Sequence, residues 1–176
     1  MAEKHTIIAG DKVSYYGLFE LKELFSLINS YFKQVGYDKR VITNSQQVFD
    51  NHKSVFVEFR PWKTLTDYVQ FEIKLKISAE FEDVEIRVDD IPKIVQKGEV
   101  SCQFFAAVKT DYEKSWEQKA EYFFLRTLFN KFVYKTKMTE WDGMLKQQTA
   151  HLKAEISSFL NMNRFTEEHK HRNLIK

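Results

Sequence analysis

The chain is predicted to fold as α+β: an antiparallel sheet of about five or six strands, one face covered by amphipathic helices, plus a C-terminal helical hairpin. Three observations carry this. In YVQFEIKLKISAEF, Val69, Phe71, Ile73, Leu75, Ile77, Ala79 and Phe81 alternate with Gln70, Glu72, Lys74, Lys76, Ser78 and Glu80. That is the period of a half-buried strand with one wet face. In YYGLFELKELFSLINSYFKQVGYDKR the apolar residues recur instead at helical spacing. Helical spacing returns beyond Trp116, so the strands are grouped in the middle and the helices are segregated.

Taken in order, HTIIAGDKVSYY reads as a strand or hairpin. Gly17 precedes and Gly36 follows a helix over 18–35. Leu18, Leu21, Leu24, Phe25, Ile28, Tyr31, Phe32 and Val35 fall on one arc of roughly 140°. Glu20 and Glu23 in the first turn and Lys33 in the last suit the helix dipole. Gly36 stands where a left-handed residue commonly ends a helix. With Lys22 and Lys33 balanced by Glu20 and Glu23, the polar face lacks the basic excess of a membrane-surface helix. Phe19 and Leu27 fall off the apolar stripe.

RVITNSQQVF, residues 40–49, reads as a weaker strand. Val55, Val57 and Phe59 alternate with Phe56, Glu58 and Arg60, and Pro61, which has no N–H for a ladder, is expected to end that strand. Val84, Ile86 and Val88 alternate with Asp83, Glu85 and Arg87, and Val100, Cys102, Phe104, Ala106 and Val108 with Ser101, Gln103 and Lys109. TLTD, EFED and DDIPKIVQKG supply the expected breaks. Such alternation marks an antiparallel sheet with one face packed and one solvated.

From Trp116 to Tyr134, Tyr122, Phe124, Leu125, Leu128, Phe129, Phe132 and Val133 fill a broad helical face, with Trp116 and Phe123 on the opposite arc. A last helix starts near Thr139, with Thr139 and Asp142 as a capping pair. Its apolar set, Trp141, Leu145, Leu152, Ile156, Phe159 and Leu160, is a narrow seam like that of a coiled coil, and Gln148 sits where such a seam tolerates one polar residue that sets register. The expected organisation is a core domain over 1–135, a C-terminal helix over 136–163 that packs on the core or projects, and a polar tail over 164–176.

Composition excludes more than it assigns. Lys and Arg number 27 against 25 Asp and Glu, for a net charge of +2, and the signs are interspersed. Nucleic acid, which needs uncompensated positive charge, is therefore an unfavoured partner. A single cysteine, Cys102, rules out an internal disulfide and a Cys-rich zinc site. No run of ~18 apolar residues spans a bilayer, and MAEKHTIIAGDK lacks the apolar stretch of a signal peptide, so the expected compartment is the cytoplasm. There is no phosphate-binding loop, dinucleotide fingerprint, HExxH or GxSxG. The acidic residues of AEFEDVEIRVDD alternate onto a wet face instead of converging as a cation requires. Of the five histidines, only His169 and His171 are close in sequence. No catalytic residue, cofactor or metal ligand is assigned, and the chain reads as non-enzymatic.

The expected function is protein binding or self-assembly, motivated by surplus apolar residues: Phe19, Leu27, Trp116, Phe123 and the seam residues Trp141, Leu145, Leu152 and Ile156. On that reading Leu152→Asp with Ile156→Asp would break assembly while residues 1–135 stay folded. The rival reading comes from element order. Across residues 4–135, a strand, a helix, a run of antiparallel strands and a long helix follow one another. That order resembles the helix-grip (START-like) arrangement, in which a curved sheet wraps a C-terminal helix around an apolar pocket. The resemblance implies a carrier of a small apolar ligand or lipid. The family has two short helices after its first strand, where this chain shows one, and it does not account for the helix from Thr139.

Overall fold

The computed structural model describes residues 3–38, 41–49, 52–88, 91–110 and 135–173. Along the chain these form β1 (Glu3–Phe19), α1 (Leu21–Val35), β2 (Val41–Val48), β3 (Lys53–Phe59), β4 (Trp62–Thr64), β5 (Val69–Val88), β6 (Ile91–Thr110) and α2 (Lys135–Asn173). The six strands make one sheet in the order β1-β6-β5-β3-β2, with β4 also beside β5. Every pairing is antiparallel, so the class is α+β. Among the described residues there is one C-terminal helix. The other arm of the expected hairpin, 116–134, lies outside the described residues.

The longest unit is the β5–β6 hairpin. Val69 lies opposite Thr110, Val88 opposite Ile91, and no register shift interrupts them. One expected break is therefore wrong and another too long: EFED lies inside β5, and of DDIPKIVQKG only residues 89–90, outside the described residues, separate β5 from β6, the rest lying inside β6. The physical reason is a change of face. Up to Phe81 the odd-numbered residues of β5 are buried in the main core. Beyond it Ile86 is buried with Leu18 and Val95, with Val84 packed against them, in a separate small cluster. Successive side chains point to opposite faces, so this cluster lies on the other side of the sheet. A phase slip in the alternation looks like a turn, but the strand runs on and only its buried face changes.

As expected, β3 ends at Phe59, just before Pro61, and the ladder on β5 resumes in the short β4. Phe59 faces Leu75 and Trp62 faces Glu72, the same register on either side. Pro61 still accepts a hydrogen bond from the Ile73 N–H at 3.0 Å. β3 and β4 thus keep one register on β5 across a gap where Pro61 has no N–H to donate. β1 is a single strand with two register shifts, and Gly10 at the second has φ 101°.

α1 begins three residues later than its stripe suggests, because Leu18 and Phe19 complete β1. Leu18 enters the outer cluster, while Phe19 is buried edge-on to Phe81, ring centres 6.0 Å apart. The Glu20 side chain does not cap the helix. Instead the Leu21 N–H donates to Gln96 Oε1 of β6 at 3.0 Å. At the other end Gly36 is left-handed at φ 79°, ψ 38°, and the Gly36 and Tyr37 N–H groups return to the Lys33 and Phe32 carbonyls.

α2 starts at Lys135 and continues to Asn173. Thr139 is thus already helical, and the pair Thr139–Asp142 does not mark the start. Leu145, Thr149, Leu152, Ile156 and Leu160 are buried, and the four apolar ones share one core with α1 and the inner face of the sheet. Where the helices meet, Gln148 is the pin. Tyr31 OH donates to its backbone carbonyl at 2.6 Å and Tyr37 OH to its Oε1 at 2.7 Å. His151 stacks on Tyr31 with centres 5.6 Å apart. Burial, and secondarily the charge of Glu155, pushes the Tyr31 phenol up to about 12; burial, then Tyr31, holds Tyr37 above the usual phenol range. Both remain protonated donors at ordinary pH. Gln148 therefore sets register between two helices of one chain. Gln148→Leu is expected to cost about 1–3 kcal/mol, because it strands the half-buried Tyr37 hydroxyl. Adding Tyr37→Phe should recover part of that loss. A double-mutant cycle by urea unfolding checks both.

Candidate functional site: an open sheet edge

The residues expected to form an interaction surface are mostly spent inside the fold. Phe19, Leu145, Leu152 and Ile156 are fully buried. Leu27 and Trp141 are partly buried and pack against the same core. Trp116 and Phe123 lie outside the described residues. The narrow seam of α2 is narrow because the sheet covers one side of that helix, and its apolar residues are not an open face.

The outer face of the sheet carries charge in compensated form. Glu72 accepts from Lys4 Nζ at 2.6 Å and also from Lys109. Arg60 donates to Glu58 at 2.6 Å. Lys74 lies over the Phe105 ring, 4.1 Å from its centre. Beside them is a shallow concavity of about 150 Å³ lined by Lys4, Thr6, Glu72, Lys74 and Phe105. Burial alone would raise the Glu72 pKa, but hydrogen bonds and charge from Lys109 and Lys4 together bring it below its ordinary 4.5. A carboxylate lowered on folding stabilises the fold above its unfolded pKa, and that contribution is lost as pH falls through the folded value. Stability is therefore expected to drop on acidification below 4.5, and Glu72→Gln should flatten the drop. Urea midpoints from about pH 6 to about pH 3, wild type against variant, read this out.

Among the described residues no group of three or more His, Cys, Asp or Glu converges as a metal site would require. Burial pushes the Cys102 thiol up to about 12, which leaves it a packing residue without thiolate reactivity. No described helix is long and apolar enough to cross a membrane.

The two edges of the sheet contrast sharply. β1 is blunted: it carries Lys4 and Lys12 and two register shifts, and α2 ties to it through Lys153 on Asp11 at 2.7 Å and Asp142 against His5 at 3.2 Å. Interspersed charge, bulges and a covering helix are the usual protections of an edge. β2 carries no charged residue, and among the described residues no helix makes extensive contact with it. Among the described residues it ends the sheet order, paired only with β3, and it is exposed at every position. Its one register shift lies at its start, between Val41 and Thr43. Residues 41–49, VITNSQQVF, hold no charge, proline or glycine in a chain that is 30% charged. Val41 is 44% exposed, Ile42 42%, Val48 68% and Phe49 49%. The free side of such a strand presents a row of N–H and C=O groups ready to receive another strand.

β2 was legible as a strand but not as an edge. The signal that could have raised it is the uncharged, β-prone run itself. No protein-family model matches the chain, and no curated protein matches it in sequence.

Proposed function

We propose that this chain is a non-enzymatic protein-binding domain that works by adding a strand of another protein, or of itself, to the open edge β2. The observation that carries this is an eight-residue uncharged edge strand, Val41–Val48, exposed at every position. Main-chain hydrogen bonds along β2 supply affinity in strand addition, and the alternate side chains supply specificity. The exposed Val48 and Phe49 at one end and Val41 and Ile42 at the other are apolar anchors for a partner's side chains. β3, to which the edge is paired, is itself paired without a register shift to β5, and β5 likewise to β6, which pre-organises the edge for docking.

The carrier reading has less support. The concavity of about 150 Å³ described above is lined by Lys4, Glu72 and Lys74 beside Thr6, Ile8 and Phe105, and its volume is below the ~300 Å³ of an ordinary small-ligand site. On the inner face, Phe71, Ile73, Leu75 and Ile77 are fully buried in one core with residues of α1 and α2.

The test is amide hydrogen exchange on isotopically labelled protein, diluted alone and then with cell extract. Strand addition should slow exchange selectively at amides of 41–49. Unchanged, rapid exchange there in both samples would remove the reading.

A further inference from the structure

We infer that the strand received by β2 is β2 of a second copy of this chain, added antiparallel about a two-fold axis at Ser45; the inference rests on the reading of β2 as a docking edge. Counted outward from Ser45, the strand is symmetric in polarity. Asn44 and Gln46, then Thr43 and Gln47, are uncharged polar residues, and Val41–Ile42 and Val48–Phe49 close the two ends with apolar pairs.

That symmetry is what antiparallel self-pairing requires. Two copies related by an axis normal to the sheet place residues equally distant from the centre opposite one another and on the same face. About Ser45, serine meets serine, Asn44 meets Gln46 and Thr43 meets Gln47. Each of these pairs holds both donors and acceptors. The apolar end of each copy lies beside the apolar end of the other. Moving the centre by one residue destroys the match. About Asn44, Val41 and Ile42 would face Gln47 and Gln46; about Gln46, Phe49 and Val48 would face Thr43 and Asn44. Charge complementarity points the same way: an uncharged strand in a highly charged chain finds its uncharged counterpart on a second copy, with no like charges opposed. The result is one continuous sheet across two copies, with the blunted β1 edges at its two ends. That closes the assembly as a dimer and prevents a growing fibre.

Ser45→Cys in the full chain tests the geometry. Directly opposed residues lie about 4.5–5.5 Å apart at Cα, within the roughly 4.4–6.8 Å that a disulfide spans. Mild oxidation should give a disulfide dimer. Asn44→Cys, whose sulfurs would be offset by two residues, should cross-link at least ~10-fold less, since that offset exceeds disulfide reach. The buried Cys102 does not compete. By light scattering the wild-type mass should rise with concentration from 21.1 kDa towards twice that value. Thr43→Lys with Gln47→Lys sets ammonium against ammonium across the axis and should hold the protein at 21.1 kDa with an unchanged circular dichroism spectrum. Equal cross-linking of Ser45→Cys and Asn44→Cys, a wild type that stays monomeric, or scattering that grows without a plateau would each overturn the inference. The exchange experiment separates the two levels. A monomer whose 41–49 amides become protected only in extract takes its strand from another protein, which sinks the second-copy inference and keeps the docking reading. Unprotected amides in both conditions sink both.

Discussion

Replacing Leu152 and Ile156 together by aspartate is expected to unfold the whole protein. Both side chains are fully buried and belong to the core that also holds Phe71, Ile73, Leu75 and Ile77 of β5. Truncating a buried Leu or Ile costs about 2–5 kcal/mol. Placing a carboxylate there adds a desolvation penalty of several kcal/mol per group, or forces it to take up a proton. Two such sites on one helix exceed the ~5–15 kcal/mol of a typical domain. The expected result is loss of near- and far-ultraviolet circular dichroism together, at any protein concentration. Leu152→Ala alone should lower stability by about 2–5 kcal/mol and leave the fold intact. A double variant that kept its native spectrum and lost only assembly would show that α2 does not close the core. This reverses what the narrow seam suggested. A seam reports that one side of a helix is buried, and it is the same whether the cover is the chain's own sheet or a second chain.

What was legible in the sequence is what local physics decides. The stripe of α1 and its end at Gly36 follow from spacing and from one left-handed residue. The buried sides of β3, β5 up to Phe81, and the second half of β6 follow from alternation. What was illegible depends on partners far along the chain. EFED looks like a break because the alternation slips there, and only the pairing of Glu82 with Lys97 and Asp83 with Gln96 shows that the strand continues. The end of β3 before Pro61 was legible because the missing donor is local, whereas the resumption of the ladder in β4, helped by the Pro61 carbonyl accepting from Ile73, was not. Phe19 looked like a stray residue on a helix, but it is the last residue of a strand, held by Phe81.

The candidate site was hidden for the same reason. Apolar residues off a stripe seemed the best markers of an interaction surface, and the fold buries most of those described. The open surface is instead a strand whose composition is ordinary and whose position is not. Val41 to Phe49 would make an unremarked central strand. At the end of the described sheet order, the same residues become an exposed, uncharged edge. Order in a sheet is set by which strands pair across tens of residues, and no window of sequence reports it.

Gly98→Ala is expected to be the most damaging single methyl in the chain's described strands. Gly98 sits on β6 between Gly17 of β1 and Phe81 of β5. A Cβ there would stand 2.1 Å from the Glu80 carbonyl oxygen and 2.7 Å from the Phe81 Cα. Both are backbone atoms, so no side chain can rotate away, and the strands must separate. Overpacking ordinarily costs about 1–3 kcal/mol, and a backbone clash of this depth belongs at or above the top of that range. The damage also travels. Gln96, two residues earlier on β6, caps α1 through the Leu21 N–H, and Phe81 anchors Phe19 at the entry to that helix. Displacing β6 from β5 therefore loosens the start of α1 as well. Gly143 gives the contrast within α2: a Cβ there meets nothing within 4 Å, and Gly143→Ala should stabilise by about 0.5–1 kcal/mol through helix propensity. Urea unfolding of the two alanine variants side by side decides the matter. A Gly98→Ala protein within about 0.5 kcal/mol of wild type, the ordinary range for a surface substitution, would mean that β5 and β6 do not approach as described.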